Sequence, residues 1–128
     1  SVLADGIVQD NVTVASGTFS INRWCNKMNA GLPYTSIIET MPIVIEGAVS
    51  SRMKVSKVGI NFYESLGTLY GVEGDTEECF TATSTLQTGW RKLTYQQGYT
   101  DDASIYIEQV KPLPLTIRAI VPDVLITE

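Results

Sequence analysis

The sequence predicts an all-β protein, an antiparallel β-sandwich with a small N-terminal β-hairpin module. Three observations carry this. Short runs of alternating apolar and polar residues recur, and turn-forming residues bound them about every 8–12 positions, the spacing of sandwiches and barrels. Apolar residues at i, i+3 and i+4 never persist over three turns, so residues 24–30 could form one helical turn at most. Prolines at 42, 112, 114 and 122 sit in or beside strand-like runs, where proline is confined to edges, bulges and strand ends.

The elements follow in order. "SVLADGIVQDNVTV" sets Asp5-Gly6 between apolar runs, a hairpin signal because a type I′ turn needs positive φ at both central residues. "SGTFSIN" at 16–22 reads as a turn continuing into a strand. "RWCNKMNAGLPYTS" loses all periodicity and reads as a connection, with a boundary near Gly31–Pro33. This divides the chain into a module at 1–31 and a sandwich at 32–128. "TSIIETMPIVIE" at 35–46 is strand-like, and Pro42 marks an edge, a bulge or a break. "GAVSS" is a loop. "RMKVSKVGINFYES" at 52–65 is the clearest strand, with Met53, Val55, Val58, Ile60 and Phe62 apolar. Its alternation slips once between Val55 and Val58, as a bulge requires.

Residues 66–89 contain a short strand "TLYGV", an acidic loop "EGDTEE" and a weak strand around "CFTAT". "GWRKLTYQ" at 89–96 is a strand, "GYTDDA" a turn, and "SIYIEQV" at 104–110 another strand. In the closing "VKPLPLTIRAIVPDVLITE", Pro112 and Pro114 precede the apolar run Leu115–Val121. They either protect an exposed edge or fix an extended segment against a neighbouring subunit. Pro122 is expected to split the ending into two short strands.

Composition narrows the function. At 128 residues the chain is one domain, or one with a small appendage, with 44% apolar and 18% charged residues. A net charge of −5 disfavours a generic binder of nucleic acid or of an anionic membrane. No apolar run approaches the roughly 20 residues that span a bilayer. No signal peptide is visible, and Ser1 opens mid-pattern, which suggests a piece of a longer polypeptide.

Histidine is absent, which removes the commonest general base, the usual triads and most zinc sites. No phosphate-binding or nucleophile-elbow motif occurs. Cys25 and Cys79, 54 positions apart, are expected to be unpaired thiols. Glu73, Asp75, Glu77 and Glu78 read as a solvated loop, with calcium as the alternative. No catalytic residue, cofactor or metal site is predicted. Trp24, Trp90 and Tyr99 are the candidate interaction residues, since aromatic faces suit sugar rings if exposed; otherwise they fill core and loops.

The blocks "SVLADGIV" at 1–8, "SGTFSI" at 16–21, "AGLPYTSIIETMPI" at 30–43, "KVSKVGINFYESLG" at 54–67 and "QGYTDDASIYIEQVKPLPLTIRAIVPDV" at 97–124 resemble, in order, the carboxy-terminal region of a family of large structural proteins of tailed bacteriophages. Members are often labelled as containing a domain like that of ubiquitin-activating enzymes. "GLPYTS" together with "PLPLTIRAIVP" is the specific combination. Residues 23–29 and 68–92 depart from the family pattern. The resemblance implies a non-enzymatic virion protein of the tail tube or nozzle, assembled in the host cytoplasm, with other copies of itself and neighbouring tail proteins as partners. The alternative is a carbohydrate-binding module contacting host-surface glycan. Neither reading involves a membrane or specific nucleic acid.

Overall fold

The computed structural model describes residues 1–47, 51–80 and 85–127. Among these residues, ten strands form three sheets, all paired antiparallel: β1 (Val2–Ala4), β2 (Ile7–Gln9), β3 (Met28–Ala30), β4 (Ser36–Glu39), β5 (Met53–Ser65), β6 (Leu69–Val72), β7 (Asp75–Glu78), β8 (Gln87–Thr94), β9 (Tyr106–Gln109) and β10 (Ile117–Ile126). The sheet orders are β2-β1-β3, β10-β5-β8 and β4-β9-β6-β7. The fold is all-β and sandwich-like, as the sequence predicts.

The first sheet is built around the Asp5-Gly6 turn, where φ is +49° and +80°. The expected two-stranded hairpin gains a third strand. β3 lies within the stretch read as a connection, and pairs with the free side of β1. Its sequence signal is weak because pairing comes from outside it. The Asp5 carboxylate accepts from the Asn26 and Lys27 amides, at 2.8 Å for the Lys27 contact, and the Ser1 ammonium donates to the Gly31 carbonyl. The strand expected after residue 16 does not form. Ser16 and Gly17 make the turn, closed by reciprocal Ala15–Thr18 amide bonds, but among the described residues no partner strand continues the ladder.

The core lies between the other two sheets. Met53, Val55, Val58, Ile60 and Phe62 of β5 point inward and meet Tyr70 of β6, Ile107 of β9, and Cys79, Phe80, Tyr95, Ala103 and Ile105. The slip seen in the sequence is real. Lys57 pairs with Asp123 and Val55 with Val124, so one extra β5 residue bulges out and both valines keep facing inward. Tyr95, just beyond β8, ties the layers together. Its hydroxyl donates to the Gly71 carbonyl of β6 and accepts from the Tyr106 amide of β9 at 3.1 Å. Burial raises its phenol pKa.

Two further expectations need correction. The acidic stretch is not a loop: β6 turns at Glu73-Gly74 into β7, which carries Asp75, Glu77 and Glu78. The sequence hides this strand because acids are poor strand formers, yet they suit a sheet edge. The ending is not split either. β10 runs unbroken through Pro122, which pairs with Val58. Among the described residues β10 is hydrogen-bonded to β5 alone, so a residue without an N–H is tolerated where that group would face the open side. Pro42 does act as a break: β4 ends at Glu39, although the Ile43 amide still reaches the Ala103 carbonyl. Most of the "GAVSS" loop and of the weak "CFTAT" strand lies outside the described residues.

Candidate functional site

The edges of the two larger sheets differ in a way that marks one of them out. Bare strand edges invite pairing with other chains, and charge or proline blocks this. β7 carries its three acids. β8 carries Arg91 and Lys92, the latter paired with Asp123 at 3.0 Å. β10 carries Arg118, Pro122 and Asp123. β4 reads Ser-Ile-Ile-Glu, with its single charge at the end.

Neighbouring strand residues point to opposite faces. Ile37 is 56% exposed and Ile38 44%, so neither face of β4 is covered. Every residue from Gly31 to Glu39 is exposed, and Leu32, Tyr34, Met41 and Val44 extend the apolar surface to both sides. Beside β4 runs a groove of about 700 Å³, walled by Leu32, Tyr34, Ile38, Pro112 and Pro114. The two prolines are exposed; the chain bends at Lys111-Pro112, where the Leu113 amide donates back to the Lys111 carbonyl, and the Pro114 carbonyl accepts from the Leu66 amide. They line this groove, and the segment from Pro114 also continues the edge strand β10 alongside β5, since the Thr116 carbonyl accepts from the Tyr63 amide.

A second cleft, of about 620 Å³, opens on the other side of the 109–113 segment. Ile7, Val8, Leu66, Leu69, Phe80 and Leu113 give it an apolar lining. Lys111 and Glu78 form an ion pair at its rim, 3.8 Å apart.

The predicted interaction residues are not brought together. Trp24 is 100% exposed on the arm between Ser20 and Lys27. Trp90 is 58% exposed on the outer face of β8, where its ring lies over Gly59; a Cβ built there would sit 3.7 Å from the indole. The Oδ1 of Asn61, cross-strand from Trp90, is buried without a partner. Tyr99 stacks under the Lys54 ammonium, 5.0 Å from the ring centre. The sequence reading overlooked Ile37 and Ile38. Their adjacency was the available signal, because neighbours in a strand cannot share a face.

Cys25 and Cys79 are both free. Burial pushes the Cys79 thiol pKa up to about 12, so it stays protonated and unreactive at neutral pH. Among the described residues no group of three Cys, Asp or Glu side chains is placed to hold a metal. Among them, too, no helix is long and apolar enough to cross a membrane. No protein-family model matches the chain, and no curated protein matches it.

Proposed function

We propose that this chain is a non-enzymatic building block of a tailed-phage virion, the carboxy-terminal part of a tail tube or nozzle protein, working by packing against copies of itself and neighbouring tail proteins. The observation that carries the packing role is β4, a strand unpaired along one edge among the described residues and half-exposed on both faces, in a molecule whose other large-sheet edges are guarded by charge or proline. Ile37 and Ile38 are each about half exposed, so a partner that covered them would gain about half of the roughly 1.5–3 kcal/mol that full burial of such a side chain provides. The resemblance of the 30–43 and 97–124 blocks to tail proteins supports the virion setting. The β4 strand and the prolines beside its groove fall within those blocks.

The test is the mass of the particle in solution. Light scattering across a concentration series should show assemblies above the 14.0 kDa of one chain. Ile37→Lys should lower that mass by breaking the β4 contact, because burying an unpaired ammonium in an apolar contact costs several kcal/mol. A wild-type chain that stays monomeric at the highest attainable concentration removes the proposal.

Trp90 supports a second reading, glycan binding. Its indole is backed by Gly59 and open to solvent, which leaves a flat apolar surface for a sugar ring. Host polysaccharide should then bind saturably, and Trp90→Ala should abolish the binding. Equal binding by the variant rejects this reading.

A further inference from the structure

The arm carrying Trp24 and the apolar cleft beside β6 are unexplained by the β4 contact, and their chemistry matches. Among the described residues the indole of Trp24 is the only large apolar side chain that is wholly exposed. It is not on a loose tail. Two residues further on, the Asn26 and Lys27 amides are fastened to the Asp5 carboxylate, and β3 follows at once. The ring is therefore held away from its own chain on a braced support. Exposing a tryptophan in this way gives up the burial of roughly 150–250 Å² of ring surface.

The cleft offers the complementary shape. Its volume of about 620 Å³ falls within the range that accepts sizeable ligands, so one indole with its flanking chain fits. Its lining is apolar where a ring would sit. Charge matches as well. Arg23 and Lys27 flank Trp24, and neither is in an ion pair among the described residues. The open end of the β6–β7 hairpin lines the cleft through Leu69 and Glu78, with Glu78 paired to Lys111 at the rim, and Asp75 and Glu77 follow along β7 outside the lining.

We infer that the Trp24 arm of one copy inserts into the β6-side cleft of another copy, with Arg23 and Lys27 set against the acidic hairpin. This rests on the reading of the chain as a self-packing subunit, and adds a second, separate contact. The arm and the cleft are different surfaces, so the contact is head-to-tail and can close a ring.

The chain has two tryptophans, so Trp90→Phe leaves Trp24 as the sole indole reporter. In that background, Trp24 emission should move to shorter wavelength as concentration rises and the scattered mass increases. Trp24→Ala should weaken association about thirtyfold, as expected for a central interface tryptophan. Reversing Arg23 and Lys27 to Glu should weaken it and invert its sensitivity to salt, because screening then relieves a repulsion. All three positions are exposed, so these variants test the contact without touching the core. An assembly whose Trp24 emission stays that of an indole in water, or a Trp24→Ala chain that associates unchanged, overturns the inference. Ile37→Lys separates the two contacts. If it abolishes an association in which Trp24 remains in water, the β4 contact stands and this one falls. If it leaves intact an association in which Trp24 is buried, the reverse holds. A chain that never associates overturns both.

Discussion

Phe62→Ala should cost about 3–5 kcal/mol of unfolding free energy, the usual loss for a buried phenylalanine. The ring is fully buried on β5 and tilts against Phe80, with centroids 4.7 Å apart and planes at 59°. Phe62 pairs with Gly89 on one side and Ile117 on the other. Gly89 has no side chain to move into a void. The surrounding core comes from both sheets, and each is held by its own ladder, so the space cannot close by shifting one residue. A loss of this size is a large share of the roughly 5–15 kcal/mol that holds a typical domain together. Tyr63→Ala is the internal control. Tyr63 is the next residue, faces outward and touches the Arg118 guanidinium 4.3 Å from its ring centre. It should cost no more than about 1 kcal/mol. Urea unfolding of both variants measures the difference. If Phe62→Ala loses less than Tyr63→Ala, the core does not lie between the sheets as described.

The same alternation explains how much of the fold was readable in advance. β5 was legible because burial on one face dictates period two, and even its bulge left a trace in the spacing of Val55 and Val58. The Asp5-Gly6 turn was legible because its backbone conformation restricts the residues that can make it. β7 and β3 were not. Their strand character comes from the partner they lie against, and neither Asp-Thr-Glu-Glu nor Met-Asn-Ala buries a face that would impose a pattern. The continuity of β10 through Pro122 was hidden for a related reason. Whether a proline breaks a strand depends on which side of it is free, and that is a property of the sheet order rather than of local sequence.

The candidate contact surface was half legible. The prolines at 112 and 114 prompt two readings, an edge protected or a neighbour contacted, and the structure places them both beside the groove next to β4 and on the continuation of the edge strand β10. Trp24 was singled out as a candidate, but nothing in its local sequence reveals that Asp5, some twenty residues away, braces its arm. Trp90 and Tyr99 were chosen for their aromatic character alone. Each lies in a separate environment, Trp90 over Gly59 and Tyr99 beneath Lys54. Aromatic content thus identified candidate contacts without indicating which of them could act together.

Gly71→Ala should be as damaging as the loss of Phe62, at about 3 kcal/mol or more, for a reason that involves no lost contact. Gly71 has φ +145°, a region L-residues rarely enter, and that strain alone costs of order 1–3 kcal/mol. It also lies in the middle of β6, paired with Thr76 on one side and Tyr106 on the other. A Cβ there would stand 2.6 Å from the Asp75 carbonyl oxygen and 3.2 Å from the Thr76 Cα. Both atoms are backbone of the adjacent strand, so no rotamer relieves the overlap and β7 must move, adding about 1–3 kcal/mol of overpacking. Gly74→Ala isolates the conformational part. That glycine has φ +84° in the hairpin turn with open space around it, so alanine should cost only about 1–2 kcal/mol. The displacement also has a functional consequence. Glu78 at the end of β7 lines the cleft proposed for Trp24, and the Gly71 carbonyl is the acceptor for Tyr95. Gly71→Ala should therefore weaken Trp24-dependent association as well as stability, whereas Gly74→Ala at matched folded fraction should leave association intact. Equal unfolding costs for the two alanines would show that β7 does not pack against β6 as closely as this hairpin requires.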